Sequence, residues 1–227
     1  RAVVAECDPS GADLALRLTG EGGHLLAQDR GMLSLATAVR SNAADVRLSE
    51  HTQTAAGGLE VLVGPPSPRH AAALEPVWPS VGVHLAAAQE YDVFADCGRL
   101  IPATVGLQLE RGARLLVLAV RATTAGLAHL RLLLTELDQR DVTATVVVLP
   151  IAERRRQALH EVREVVRDVG TRVQPVVLGP LALDPAGAGG LAGEGTRHLD
   201  RTPLVESARR VAHELDALLT DQLTAAG

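Results

Sequence analysis

The sequence predicts an α/β domain that is doubly wound, with a mainly parallel sheet and helices on both of its faces. Short β-branched runs alternate with segments of helical period along the 227 residues, the order that a parallel sheet with crossover helices requires. Most of these runs are apolar throughout, so both faces of each strand are expected to be buried. Two of them close on acidic residues, and the carboxyl ends of parallel strands are where such sheets bind ligands. The length fits one domain over 1–227.

Strands are expected at 2–5, 59–63, 93–95, 115–120, 143–149 and 173–178. The clearest helix starts near Thr124 and places Leu127, Leu130, Leu134 and Leu137 on one stripe, opposite Arg131, Glu136 and Gln139. The next covers 153–168, with Leu159, Val162, Val166 and Val169 inward and Arg154, Arg155, Arg156, Arg163 and Arg167 outward. Residues 184–195, five of them glycine, read as a loop. The last helix has Thr202 as N-cap and Pro203 at its first position, where a missing N–H costs nothing. Its apolar face is Leu204, Ala208, Val211, Leu215 and Leu218.

All 22 basic residues are arginine, and the aromatic residues are Trp78, Tyr91 and Phe94, so the core must be built from Leu, Val and Ala. A net charge of −5 argues against a surface devoted to nucleic acid. Apolar runs are interrupted well before membrane-spanning length, no secretory leader is visible, and two cysteines are too few for a disulfide framework. These features point to the cytoplasm.

The most informative segment is Glu6-Cys7-Asp8-Pro9-Ser10-Gly11 at the end of the first apolar run. A second run, Val93-Phe94-Ala95, closes on Asp96-Cys97-Gly98 and reaches Pro102 after Arg99. The bland reading of such acids is that they cap the turn and helix that follow. Both segments, in this order, resemble those of the ParA/MinD family of P-loop ATPases, and the strands and helices at 115–124, 143–150, 174–184 and 201–219 continue the likeness. Within the family the chain is most similar to actinobacterial MinD-like proteins. The resemblance implies that Asp8 orients the attacking water, that Glu6 is the first acid of its motif, and that Asp96 holds Mg²⁺. It also implies that Pro180 and Asp184 lie near the adenine of ATP, although Leu149-Pro150 stands where the family has a base-reading Asn.

One element of the family is absent from these residues. Its Gly-rich loop ends in Gly-Lys-Ser/Thr, whose backbone N–H groups and lysine hold phosphates; no lysine occurs here, and the glycines of 187–193 follow no strand and precede no hydroxyl residue. The expectation is therefore a ParA/MinD-like domain without its first strand, phosphate loop and first helix. In the family that strand lies inside the sheet, so the natural product is expected to extend upstream of Arg1, unless the sheet closes on itself or another chain supplies a strand.

Other candidates are weaker. His160-Glu161 and His213-Glu214 begin like zinc-protease helices, but Glu164 and Ala217 occupy the second histidine's place, so both pairs read as solvated. Cys7 and Cys97 could approach each other yet read as small core thiols, and Arg154-Arg155-Arg156 as a solvated face. The final helix mixes acids with arginines and reads as packed on the sheet, not as a membrane-surface anchor. Three functions follow: a partitioning or positioning module that hydrolyses nothing and acts as a homodimer or through a protein adaptor; an ATPase using ATP and Mg²⁺ with its phosphate loop upstream; or a Rossmann-like enzyme with a small molecule between Asp8 and Asp96.

Overall fold

The computed structural model describes residues 1–11, 13–41, 46–100, 109, 112–193 and 198–225. Pro102 and Gly195 of the segments singled out above lie outside them. The fold is α/β with parallel sheets flanked by helices, in two compact units, Arg1–Ala113 and Arg114–Gly227.

The first unit runs β1 (Ala2–Glu6), α1 (Leu14–Arg17), α2 (Met32–Arg40), β2 (Gln53–Thr54), β3 (Glu60–Leu62), α3 (Pro68–Ala73), α4 (Trp78–Ala87) and β4 (Asp92–Asp96). Its sheet order is β2-β3-β1-β4, parallel except for the short antiparallel strand β2. Alternation along β1 and β3 builds two cores. Val3, Ala5, Cys7 and Leu62 face one side and are covered by Met32, Leu35 and Ala36 of α2 and Trp78, Val81 and Leu85 of α4. Val61 and Val63 face the other and meet Ala15 of α1 with Leu26 and Ala55.

The second unit contains β5 (Leu115–Arg121), α5 (Thr124–Asp138), β6 (Thr145–Ala152), α6 (Arg155–Val169), β7 (Val176–Val177), β8 (Leu181–Ala182), α7 (Pro185–Leu191) and α8 (Pro203–Ala225). Strand β6 pairs in parallel with β5, β7 and β8, and Val146, Val147 and Val148 on it are fully buried. Helix α5 begins as expected, with the Thr123 hydroxyl accepting from the Gly126 N–H, and buries Leu130, Leu134 and Leu137.

Several expectations are corrected. Neither β4 nor β5 is buried on both faces: Phe94 is 57% and Val117 40% exposed, because each strand is an edge of its own sheet, paired on one side among the described residues. Most of the glycine run is helix α7. Asp184 caps it through the Gly187 N–H, Pro185 occupies its first position, and Gly187 and Gly190 are buried, so local capping overrides poor helix propensity. The inward face of α6 is centred on Ala158, Val162 and Val165, rotated from the Leu159/Val166 stripe. On α8 the buried positions are Val211 and the polar Ser207, while Ala208 is exposed. Ser207 Oγ accepts the Ala182 N–H of β8 at 3.0 Å, which is how α8 packs on this sheet. Glu214 is no solvated residue, since its Oε2 accepts the Gly179 N–H at 2.8 Å.

Leu134 is fully buried in the second unit. Leu134→Ala should cost about 2–5 kcal/mol, measured by urea denaturation followed by circular dichroism; a loss below about 1 kcal/mol would contradict this packing.

Candidate functional site

The site is built by one ladder. Strands β1 and β4 run parallel with Ala2 opposite Asp92 and Glu6 opposite Asp96, and the Cys7 N–H extends the pairing to the Asp96 carbonyl at 2.7 Å. In-register parallel strands deliver their ends to one rim, so Asp8 and Asp96 emerge together. Asp8 Oδ1 accepts the Ser10 N–H at 2.7 Å, folding the Pro-Ser-Gly turn around it. Asp96 Oδ1 accepts the Gly98 N–H at 3.0 Å.

Gly98 is where the two acids meet. Its φ is +61°, and a Cβ added there would lie 2.2 Å from Asp8 Oδ2. The Asp8 carboxylate thus rests against the glycine whose N–H binds Asp96, an approach only a residue without a side chain permits. Asp96 is exposed and Asp8 half-buried, and neither is ion-paired among the described residues. Cys97 registers both charges: burial first, then Asp96 and Asp8, push its thiol up to about 11. Cys7, fully buried beside it, is raised well above the ordinary range chiefly by burial. Both cysteines are free thiols.

Glu6 differs from its neighbours. It is 3% exposed; Oε1 accepts the N–H groups of Asp13 at 2.6 Å and Leu14 at 2.9 Å, and Oε2 accepts that of Gly64 at 2.9 Å. Gly64 must be glycine, because a Cβ would stand 2.9 Å from Glu6 Cγ. This carboxylate ties the start of α1 and the exit of β3 to the end of β1, the capping role weighed for it above.

Pro180 and Asp184 belong to the second unit. Pro180 is buried after Gly179. Asp184 Oδ1 accepts from Gly187 at 3.0 Å and Oδ2 from Leu204 at 3.3 Å, so one carboxylate caps both α7 and α8. Of the expected site residues, the structure gathers Glu6, Asp8 and Asp96 on one rim and commits Asp184 to helix ends. Gly98 and Gly64 are the residues that sequence reasoning did not assign to the site; the signal was a glycine just beyond each strand end.

This is the fold class of P-loop NTPases, of ParA/MinD type. A MinD septum site-determining protein complexed with Mg-ADP, from Pyrococcus horikoshii, is similar at TM-score 0.66 and 14% identity over 96% of this chain and 84% of that one. A ParA family ATPase from Chlorobium tepidum gives TM-score 0.66 and 14% identity over 91% and 82%. Cobyrinic acid a,c-diamide synthase from Mycobacterium smegmatis, with bound ATP analogue and magnesium, gives 0.60 and 18% over 96% and 82%. No protein-family model and no curated protein matches the sequence.

Against the Mg²⁺ and nucleotide of those structures the residues fit in part. Mg²⁺ takes one or two carboxylates together with phosphates and water, and exposed Asp96 suits such a ligand. Among the described residues no three His, Cys, Asp or Glu side chains form a metal cage. Nothing in the 227 residues offers the lysine that holds phosphates.

Two outcomes are expected. Gly98→Ala should cost about 1–3 kcal/mol from left-handed backbone and the Asp8 clash, and Asp8→Ala should recover part of it with a coupling near 1 kcal/mol; additive losses in the double-mutant cycle would show that the two residues do not touch. Because the folded Cys97 thiol ionises near 11 rather than 9.0, the folded chain holds its proton longer. Its contribution is complete below pH 9 and declines as pH rises toward 11. Cys97→Ala should flatten that decline in denaturation curves, and an unchanged slope would refute the assignment.

Proposed function

We propose that this chain is a ParA/MinD-like positioning or partitioning module that, over these 227 residues, hydrolyses nothing and works by association, as a homodimer or through a protein adaptor. The observation that carries this reading is a rim with Asp8 and Asp96 side by side and no lysine anywhere to hold a phosphate. In this reading Asp96 is the Mg²⁺ ligand of the ancestral site and Asp8 its water-orienting acid, while Glu6 has become a structural tie. Pro180 and Asp184 are the remnant of the adenine end. The fold alone does not choose the role, since a diamide synthase shares it with MinD and ParA; the acid pair without a phosphate cradle narrows it.

A second reading keeps the same rim catalytic. The outer edge of β4 is unpaired among the described residues, with Phe94 exposed on it, as it would be if a further strand with a phosphate loop paired there. The chain would then serve an ATPase in which Asp8 orients water and Asp96 binds Mg²⁺. No helix among the described residues is long and apolar enough to cross a membrane.

Isothermal titration of the 227-residue chain with Mg-ATP separates the readings. The first predicts no saturable heat; binding in the micromolar range that Asp96→Ala weakens about tenfold or more would overturn it.

A further inference from the structure

The rim opposite the acids holds a cavity of about 360 Å³ that the proposed function does not use. It opens at the amino ends of β1 and β3 in the first unit, with Arg1, Arg30, His24, Ser49, Thr54 and Glu60 among its walls. Its floor is electrostatically closed. Glu60 is 6% exposed, and its Oε1 accepts from the Thr54 hydroxyl at 3.0 Å and from the Arg1 guanidinium at 2.5 Å. Arg1 in turn lies over the Tyr91 ring, 5.2 Å from its centroid. Burial pushes the Glu60 carboxyl up, but hydrogen bonds from Thr54, Arg1 and Thr52 more than offset this and leave it lowered. The floor is therefore an ionised, mutually neutralised pair.

Arg30 is the charge left over. It has no ion pair among the described residues, yet the turn that carries it is pinned. The Gln53 amide of β2 donates to the carbonyls of Arg30 at 2.6 Å and Ala27 at 2.8 Å, and accepts the Ala27 N–H at 2.8 Å. Such a frame presents a cation at low entropic cost. The positive field reaches beyond the cavity wall: His51 is lowered first by burial and also by Arg30, against the opposing pull of Glu50. No acid other than the neutralised Glu60 lines the cavity, while His24 and Ser49 add donors and Thr54, whose proton goes to Glu60, adds an acceptor.

We propose that this cavity binds a small phosphate monoester, with Arg30 taking the phosphate and the Ser49 and Thr54 side receiving the hydroxyl-bearing remainder. An arginine fork matches phosphate oxygens in pairs, and the volume lies at the low end of small-ligand sites. One uncommitted arginine at an open recess, on a chain of net charge −5, is too little for a nucleic-acid backbone. The site is separate from the acid rim and stands or falls independently of the association reading.

The test is an NMR titration of the 227-residue chain with glycerol 2-phosphate, following the ring signals of His24 and His51, with glycerol and ionic-strength-matched potassium chloride as controls. The expected result is saturable shifts with the phosphate ester alone, weakened about tenfold or more by Arg30→Ala and unaltered by Arg163→Ala, a surface control on α6. Retained amide spectra of both variants show that they fold. Shifts that fail to saturate, that potassium chloride reproduces, or that Arg30→Ala leaves intact would each overturn the site.

Discussion

The parallel ladder between β1 and β4 fixes the first unit's acidic rim, since strands in register and of one direction bring equal offsets to the same end. Glu6 and Asp96 are register partners, and the chain continues past them for one more hydrogen bond, from Cys7 to Asp96. The positions of Asp8 and Gly98 follow from that bond. Had β4 run the other way, the two carboxylates would stand at opposite rims and the shared contact at Gly98 could not form.

Three acids at one rim face different physics. A buried carboxylate is tolerated where backbone donors replace water, and Glu6 has three of them, so it holds loops together and has little capacity left for a ligand. Asp8 and Asp96 each accept one backbone N–H and keep the rest of their acceptor capacity. The division is one of capacity: Glu6 is spent on the fold, and Asp8 and Asp96 are the acids left with acceptor capacity at the rim. Asp184 repeats the structural case in the second unit, spanning two helix starts with one side chain.

Much of this was legible in the sequence. The β-branched runs located β1, β3, β4, β5, β6 and β7, and Thr124 and Pro203 marked true helix starts, because those signals are local. Strands β2 and β8 span two residues each and owe their existence to pairing with β3 and β6, which no local pattern encodes. Helices α2 to α4 escaped because their faces are small and interrupted; the helix expected after the Pro-Ser-Gly turn is the four-residue α1, whose start is capped by Glu6. The glycine-rich α7 shows a tertiary cap outweighing propensity. The acids at the rim were visible as residues, but the division of labour among them depends on Gly64 and Gly98, whose importance lies in what a side chain there would strike.

Cross-strand nuclear Overhauser contacts in the 227-residue chain read the direction and register of β1 against β4. Contacts linking Val4 with Phe94 and Glu6 with Asp96 are expected, in the offset pattern of parallel strands. An antiparallel pattern, or contacts shifted so that Glu6 no longer faces Asp96, would contradict that pairing.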